Sequence, residues 1–258
     1  MDLLAALLLL TAVFPLATAL RANRSTTLRQ PLLWALVAWA AWIGVAGSRL
    51  LRPGQDEGLA CYGALCLTGC AGVAVLGARR PGVMAWNFVV VGLLAVLLLP
   101  ILNGLGELRL EPAQELFLGV TLLVPLLNYL PTRLGPGFLL VAAGCGLEMV
   151  RLIEPGSPAW LRPVGLGLLA VGPWAAWAGQ WKRGSSGTEF DRLWLSYRDR
   201  FGFVWGQRMR EQFNRAADHA GFPVVLRWQG LQHEATADTP ALMPLLRAVL
   251  KRFGPEER

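Results

Sequence analysis

"MDLLAALLLLTAVFPLATAL", residues Met1–Leu20, carries a single formal charge, at Asp2. A helix rising about 1.5 Å per residue needs roughly 20 apolar residues to cross a hydrocarbon layer of about 30 Å, so this run has the length of a span. Ala17, Thr18 and Ala19 imitate the small-residue cleavage site of a signal peptide. A signal peptide, however, places basic residues ahead of its apolar core, and here Arg21, Arg24 and Arg29 follow it. That charge order predicts a retained reverse anchor with its amino terminus outside the cell membrane.

The run is the first of a series. Further apolar blocks occupy about 32–48, 58–77, 84–102, 114–130, 137–153 and 164–181. They are blocks rather than amphipathic periods, so their burial is set by lipid and not by a water-soluble core. The composition agrees: 54% of the 258 residues are hydrophobic and 16% charged, against about 25% charged in a soluble domain. The expected fold is an all-α polytopic membrane protein of about seven transmembrane helices over residues 1–181. A linker at 182–188 and a small, mainly helical cytoplasmic domain at 189–258 follow. The block at 114–130 contains Pro125 and, with 137–153, reads as a tight helical hairpin.

Orientation follows from basic residues in short loops. With the amino terminus outside, Arg21, Arg24, Arg29, Arg79, Arg80, Arg133, Lys182 and Arg183 fall on the cytoplasmic side. Arg49, Arg52, Arg109, Arg151 and Arg162 fall on the other, together with most of the acids of the bundle. The chain is thus expected in a bacterial-type inner membrane, carboxy terminus in the cytoplasm. Its net charge is +7, and the last seventy-seven residues contribute the larger part of it.

No cofactor or metal site is expected. Cys61, Cys66, Cys70 and Cys145 all lie inside apolar blocks, which excludes a secreted disulfide framework. Cys66 and Cys70 share a helix face at i, i+4, but in a helix rich in Gly and Ala they read as small packing residues. His219 and His233 both follow the last block, which argues against a membrane haem or di-metal centre. Spacings such as Ala142 with Gly146 and Gly172 with Ala176 mark close helix contacts. Asn87 and Asn128 read as hydrogen-bonding glue between helices.

Charge inside a span is costly and points by default to function. Glu148 and Arg151 stand at i, i+3 near the outer end of the sixth block, where they can pair. Glu107, in the loop "NGLGELRLEPAQE" with Arg109, Glu111 and Glu115, would face the same outer mouth. Glu148, Arg151 and Glu107 are therefore the candidate polar membrane site.

"DRLWLSYRDRFGFVWGQRMREQFNRA", residues Asp191–Ala216, interleaves six arginines with six aromatics. Phe190, Trp194, Tyr197, Phe201, Trp205 and Met209 recur at helical spacing, with a bend expected at Gly202 and Gly206. Trp194, Tyr197, Phe201 and Trp205, with Arg198 and Arg208, form the candidate interaction face of the tail. "VVLRWQGL" is strand-like and needs a partner, from this chain or another, unless it is an extended connector. A last helix is capped by Thr239 and Pro240 and stopped by Gly254 and Pro255. The expected partners are the bilayer, anionic lipid headgroups, and a protein partner or a second copy of the chain. Nucleic acid is not expected, because the tail's charge is modest and no recognisable motif is present. No catalytic constellation stands out, so the expected role is a non-catalytic scaffold, assembly factor or sensor. The alternative is a transporter or membrane-embedded enzyme built on Glu148 and Arg151.

Overall fold

The computed structural model describes residues 2–51, 57–79, 82–103, 108, 110–154, 156–181, 188–233 and 239–253. The Glu107 and Arg109 readings and the linker at 182–187 lie outside them. The described chain is mostly helical. Helices α1 (Asp2–Thr11) and α2 (Val13–Ala22) form one nearly continuous rod, interrupted at Ala12. Pro15 falls in the first turn of α2, where a missing N–H costs little. Then come α3 (Arg29–Leu51), α4 (Gly58–Ala74) with a closing 3₁₀ turn, and α5 (Val83–Leu97) with the short α6 (Leu99–Asn103). The bundle ends with α7 (Pro112–Tyr129), α8 (Gly135–Ile153) and α9 (Leu161–Trp181). Four segments, Leu3–Ala22, Arg29–Ser48, Gly58–Gly77 and Gly135–Ile153, are long and apolar enough to cross a membrane.

The interior of the bundle mixes small residues with large ones such as Trp42, Tyr62 and Leu169, while many other large apolar side chains face outward. Cys61, Ala64, Cys66, Gly69 and Cys70 of α4 are buried, whereas Leu3, Met84, Phe88, Leu102, Leu116 and Leu127 are exposed. Without Cβ atoms, Gly69 and Gly72 let α4 lie on Thr121 and Pro125 of α7. The closest helix pair is α8 with α9, where Gly137 meets Gly172 and Ala176, and Gly144 meets Gly165 and Leu169. Gly172 and Ala176 on α9, marked by their spacing, do lie in this contact. Gly146 on α8, marked in the same way, faces open space two residues round the helix from Gly144. Amino-terminal α1 also packs directly on α9, which closes the ring of helices.

The two ends of the bundle differ. Val45, Glu57, Glu148, Arg151 and Arg162 gather at one end. Leu28, Val75, Ala78 and Tyr129 gather at the other, where the carboxy-terminal segment docks. That segment comprises α10 (Glu189–His219), a hairpin of β1 (Val224–Arg227) and β2 (Gly230–His233), and α11 (Thr239–Leu250). Thr188 caps α10, its hydroxyl accepting from the Asp191 N–H at 3.1 Å. The expected bend is sharp: Gly202 has φ +78° and ψ −167°, a region open essentially to glycine alone. The strand-like stretch finds its partner within the chain, pairing Val224 with His233 through Arg227 with Gly230, antiparallel. Asn214 secures the hairpin to α10, donating to the Leu226 carbonyl at 3.2 Å and accepting its N–H at 2.7 Å.

Candidate functional site

Two places combine polar chemistry with burial. At the first, Glu148 is only 1% exposed on α8. Its Oε2 accepts from Arg151 Nε at 3.0 Å and lies 3.5 Å from Cys61 Sγ of α4. Gly165 of α9 sits close against Oε1, which has no hydrogen-bond partner. Arg162, at the start of α9, pairs with Glu57 ahead of α4 and donates to the Val45 carbonyl of α3 at 3.5 Å. Its charge also reaches Glu148. Two acids and two guanidiniums thus cancel one another while joining the ends of α3, α4, α8 and α9. The structure brings Glu148 and Arg151 together, as their spacing predicts. The Glu57–Arg162 half was not legible, because those residues stand 105 positions apart. Glu111 lies elsewhere, exposed at the start of α7, where its N–H donates to Gln114 Oε1 at 3.0 Å. Cys66 and Cys70 point their thiols at the Leu97 and Val90 carbonyls, each at 3.9 Å.

The second place is the joint between bundle and tail. The carboxamide of Asn128, on α7, bridges the Gly202 kink: Oδ1 accepts from the Val204 N–H at 3.0 Å and Nδ2 donates to the Phe201 carbonyl at 3.4 Å. Any Cβ on residue 202 would collide with Asn128. Tyr129 Oη donates to the Arg200 carbonyl at 2.8 Å, and Trp205 Nε1 to the Val75 carbonyl at 3.1 Å. Asp199 receives Arg198 Nη2 at 2.7 Å and the Arg133 backbone N–H at 3.3 Å. Arg198 also donates to the Trp228 carbonyl at 2.8 Å and lies over the Trp228 ring. Asn128 therefore acts as glue, but to the tail, whereas Asn87 accepts from Trp34 Nε1 of α3 at 2.8 Å, between bundle helices.

Of the candidate tail face, Trp194, Tyr197, Phe201, Trp205 and Arg198 are all buried within the chain, against Phe253, α11 and the bundle end. Arg208 is exposed and stacks over Trp205. Burial pushes the Tyr197 phenol above its usual range, with the Arg79 charge opposing. Arg192, Arg208, Arg215 and Arg227 of the tail are all exposed.

Above this joint, inside the bundle, lies a cavity of about 300 Å³. It lies among α2, α3, α4, α7, α8 and α9, and Pro15, Pro125 and Pro173 all line it. Neither Glu148 nor Arg151 is among its lining residues. Nothing in the sequence announced it, because it arises from residues that fail to touch. No family model, curated protein or solved structure matches the chain.

Proposed function

We propose that the chain is a multi-pass inner-membrane protein with seven spans, amino terminus outside and carboxy terminus in the cytoplasm, and that its role is non-catalytic. It acts as a membrane sensor or scaffold whose cytoplasmic cap is fixed to the bundle and presents a basic surface. The observation that carries this reading is the joint at Gly202. A tail joined to Asn128, Tyr129 and Val75 through its kink and aromatics moves with the bundle rather than apart from it. The row of exposed large apolar side chains supports a lipid environment, since soluble monomers seldom expose a patch above several hundred Å². The fifteen-residue α5 with its α6 extension, α7 and α9 complete the count of seven in this proposal. Basic Arg192, Arg208, Arg215 and Arg227 would meet anionic headgroups or an acidic protein, each lipid contact contributing on the order of 1 kcal/mol.

Topology reporters fused after residues 55, 108 and 185 should read outside, outside and inside. Replacing Arg192, Arg208, Arg215 and Arg227 by Gln should release the partner or weaken binding to anionic vesicles while leaving the fold intact. A tail variant with unchanged partners and unchanged cellular behaviour refutes the role. The second reading, a transporter or enzyme at Glu148, draws on its unpartnered buried Oε1. That reading requires Glu148→Gln to abolish transport or turnover at normal protein level. The non-catalytic reading requires a loss of stability instead.

A further inference from the structure

The cavity has an apolar body and a polar mouth. Leu16, Ala38, Trp39, Val141 and Cys145 are among the residues that line its body. Gln180 and Arg200 line it too but are exposed, so the cavity opens beside them, at the bundle end where the cap docks. Asn23 lines the same end and is 8% exposed. Its Nδ2 donates to the Ala19 carbonyl at 2.8 Å, which fixes the amide orientation, while Oδ1 has no partner. A buried acceptor left without a donor is costly, so this oxygen points to a ligand that brings one. Arg200 is the one charged residue among those lining the cavity. Its Nη2 donates to Ser196 Oγ at 2.8 Å, which holds the side chain along α10, and a guanidinium suits phosphate geometry. A volume near 300 Å³ stands at the bottom of the range of roughly 300–1,000 Å³ that holds small organic ligands, enough for the greater part of one acyl chain and not for two.

We propose that this cavity binds one single-chain phospholipid of the lyso type, its acyl chain between α3 and α8, its phosphate at Arg200 and its glycerol hydroxyl donating to Asn23 Oδ1. Chain, anion and hydroxyl each answer one feature of the site. The cap then contacts the ligand directly through Arg200, so occupancy is read where the tail joins the bundle. This inference rests on the membrane-embedded reading given above. The topology reporters test that reading separately, so correct topology without lipid binding sinks the ligand alone.

The test uses the full chain in phosphatidylcholine nanodiscs titrated with palmitoyl lysophosphatidylglycerol, with bound lipid counted by native mass spectrometry. The expected result is saturable binding of one lipid per chain. Ala142→Phe, which fills the cavity, should lower affinity at least about tenfold. Arg200→Gln should lower it about tenfold, the worth of a hydrogen bond to a charged group, and leave uncharged monopalmitoylglycerol unaffected. The analogue of the lysophospholipid that lacks only the glycerol 2-hydroxyl should bind more weakly than the lysophospholipid itself, and Asn23→Leu should erase that difference. Absence of saturable binding overturns the proposal, and so does equal affinity for monopalmitoylglycerol or undiminished binding to a folded Ala142→Phe variant. Arg200 is exposed and outside the core, so its substitution remains decisive should the cavity-filling variant fail to fold.

Discussion

Gly202 shows how much one residue can hold. Its backbone lies where a side chain costs on the order of 1–3 kcal/mol, and a Cβ there would also strike Asn128. Gly202→Ala should therefore lower the thermal transition of the purified protein by more than that strain alone implies, while Gly146→Ala, facing open space, should leave it unchanged or raise it. Tyr197 offers a second measurement. Its buried hydroxyl has no partner, so Tyr197→Phe should be neutral or stabilising by about 1 kcal/mol. Burial raises its pKa in the folded state, so the folded protein keeps the phenol protonated where the unfolded chain releases the proton, and stability falls as pH rises beyond the unfolded value of about 10. Wild type should thus lose stability as pH rises above about 10 more steeply than Tyr197→Phe. At Glu148 the pairing with Arg151 was legible from i, i+3 spacing, but its seat against Cys61 and Gly165 was not, since those neighbours come from other helices. Glu148→Leu should cost about 3–5 kcal/mol by stranding Arg151, and adding Arg151→Leu should restore most of it, measured by thermal denaturation in detergent.

The apolar blocks read from sequence foreshadow the described helices to within a few residues, because a run of about 20 apolar residues has few other ways to satisfy its backbone. The bend in α10 was equally legible from Gly202. The hairpin was only half legible. "VVLR" has strand character, but its partner "GLQH" does not, and its place is fixed by tertiary contacts: the Leu231 N–H donates to Asp191 Oδ1 at 2.8 Å. The direction of the aromatic face was open for a related reason. Helical spacing shows that Trp194, Tyr197, Phe201 and Trp205 lie together, but not what covers them. What covers them includes Phe253, whose ring meets Tyr197, Phe201 and Trp205 with centroids 5.0–5.2 Å apart. Phe253→Ala should accordingly cost about 3–5 kcal/mol, and should make the arginines of α10 susceptible to trypsin under native conditions.

On the scale of the whole molecule, the cap and one end of the bundle share a single apolar core. Deleting residues 189–258 should uncover Leu28, Val75, Ala78 and Tyr129, and should reduce the monodisperse fraction on size-exclusion chromatography even where the bundle still inserts. The fold also carries information about its own making. Helix α1 leaves the ribosome well ahead of α9, one of its principal neighbours, which is synthesised about 150 residues later. Throughout elongation α1 therefore has one flank unpaired, and the ring of helices closes only when α9 arrives. Until that moment the cavity is an open furrow, so a ligand of the kind proposed above can be enclosed during synthesis without ever passing through the mature mouth.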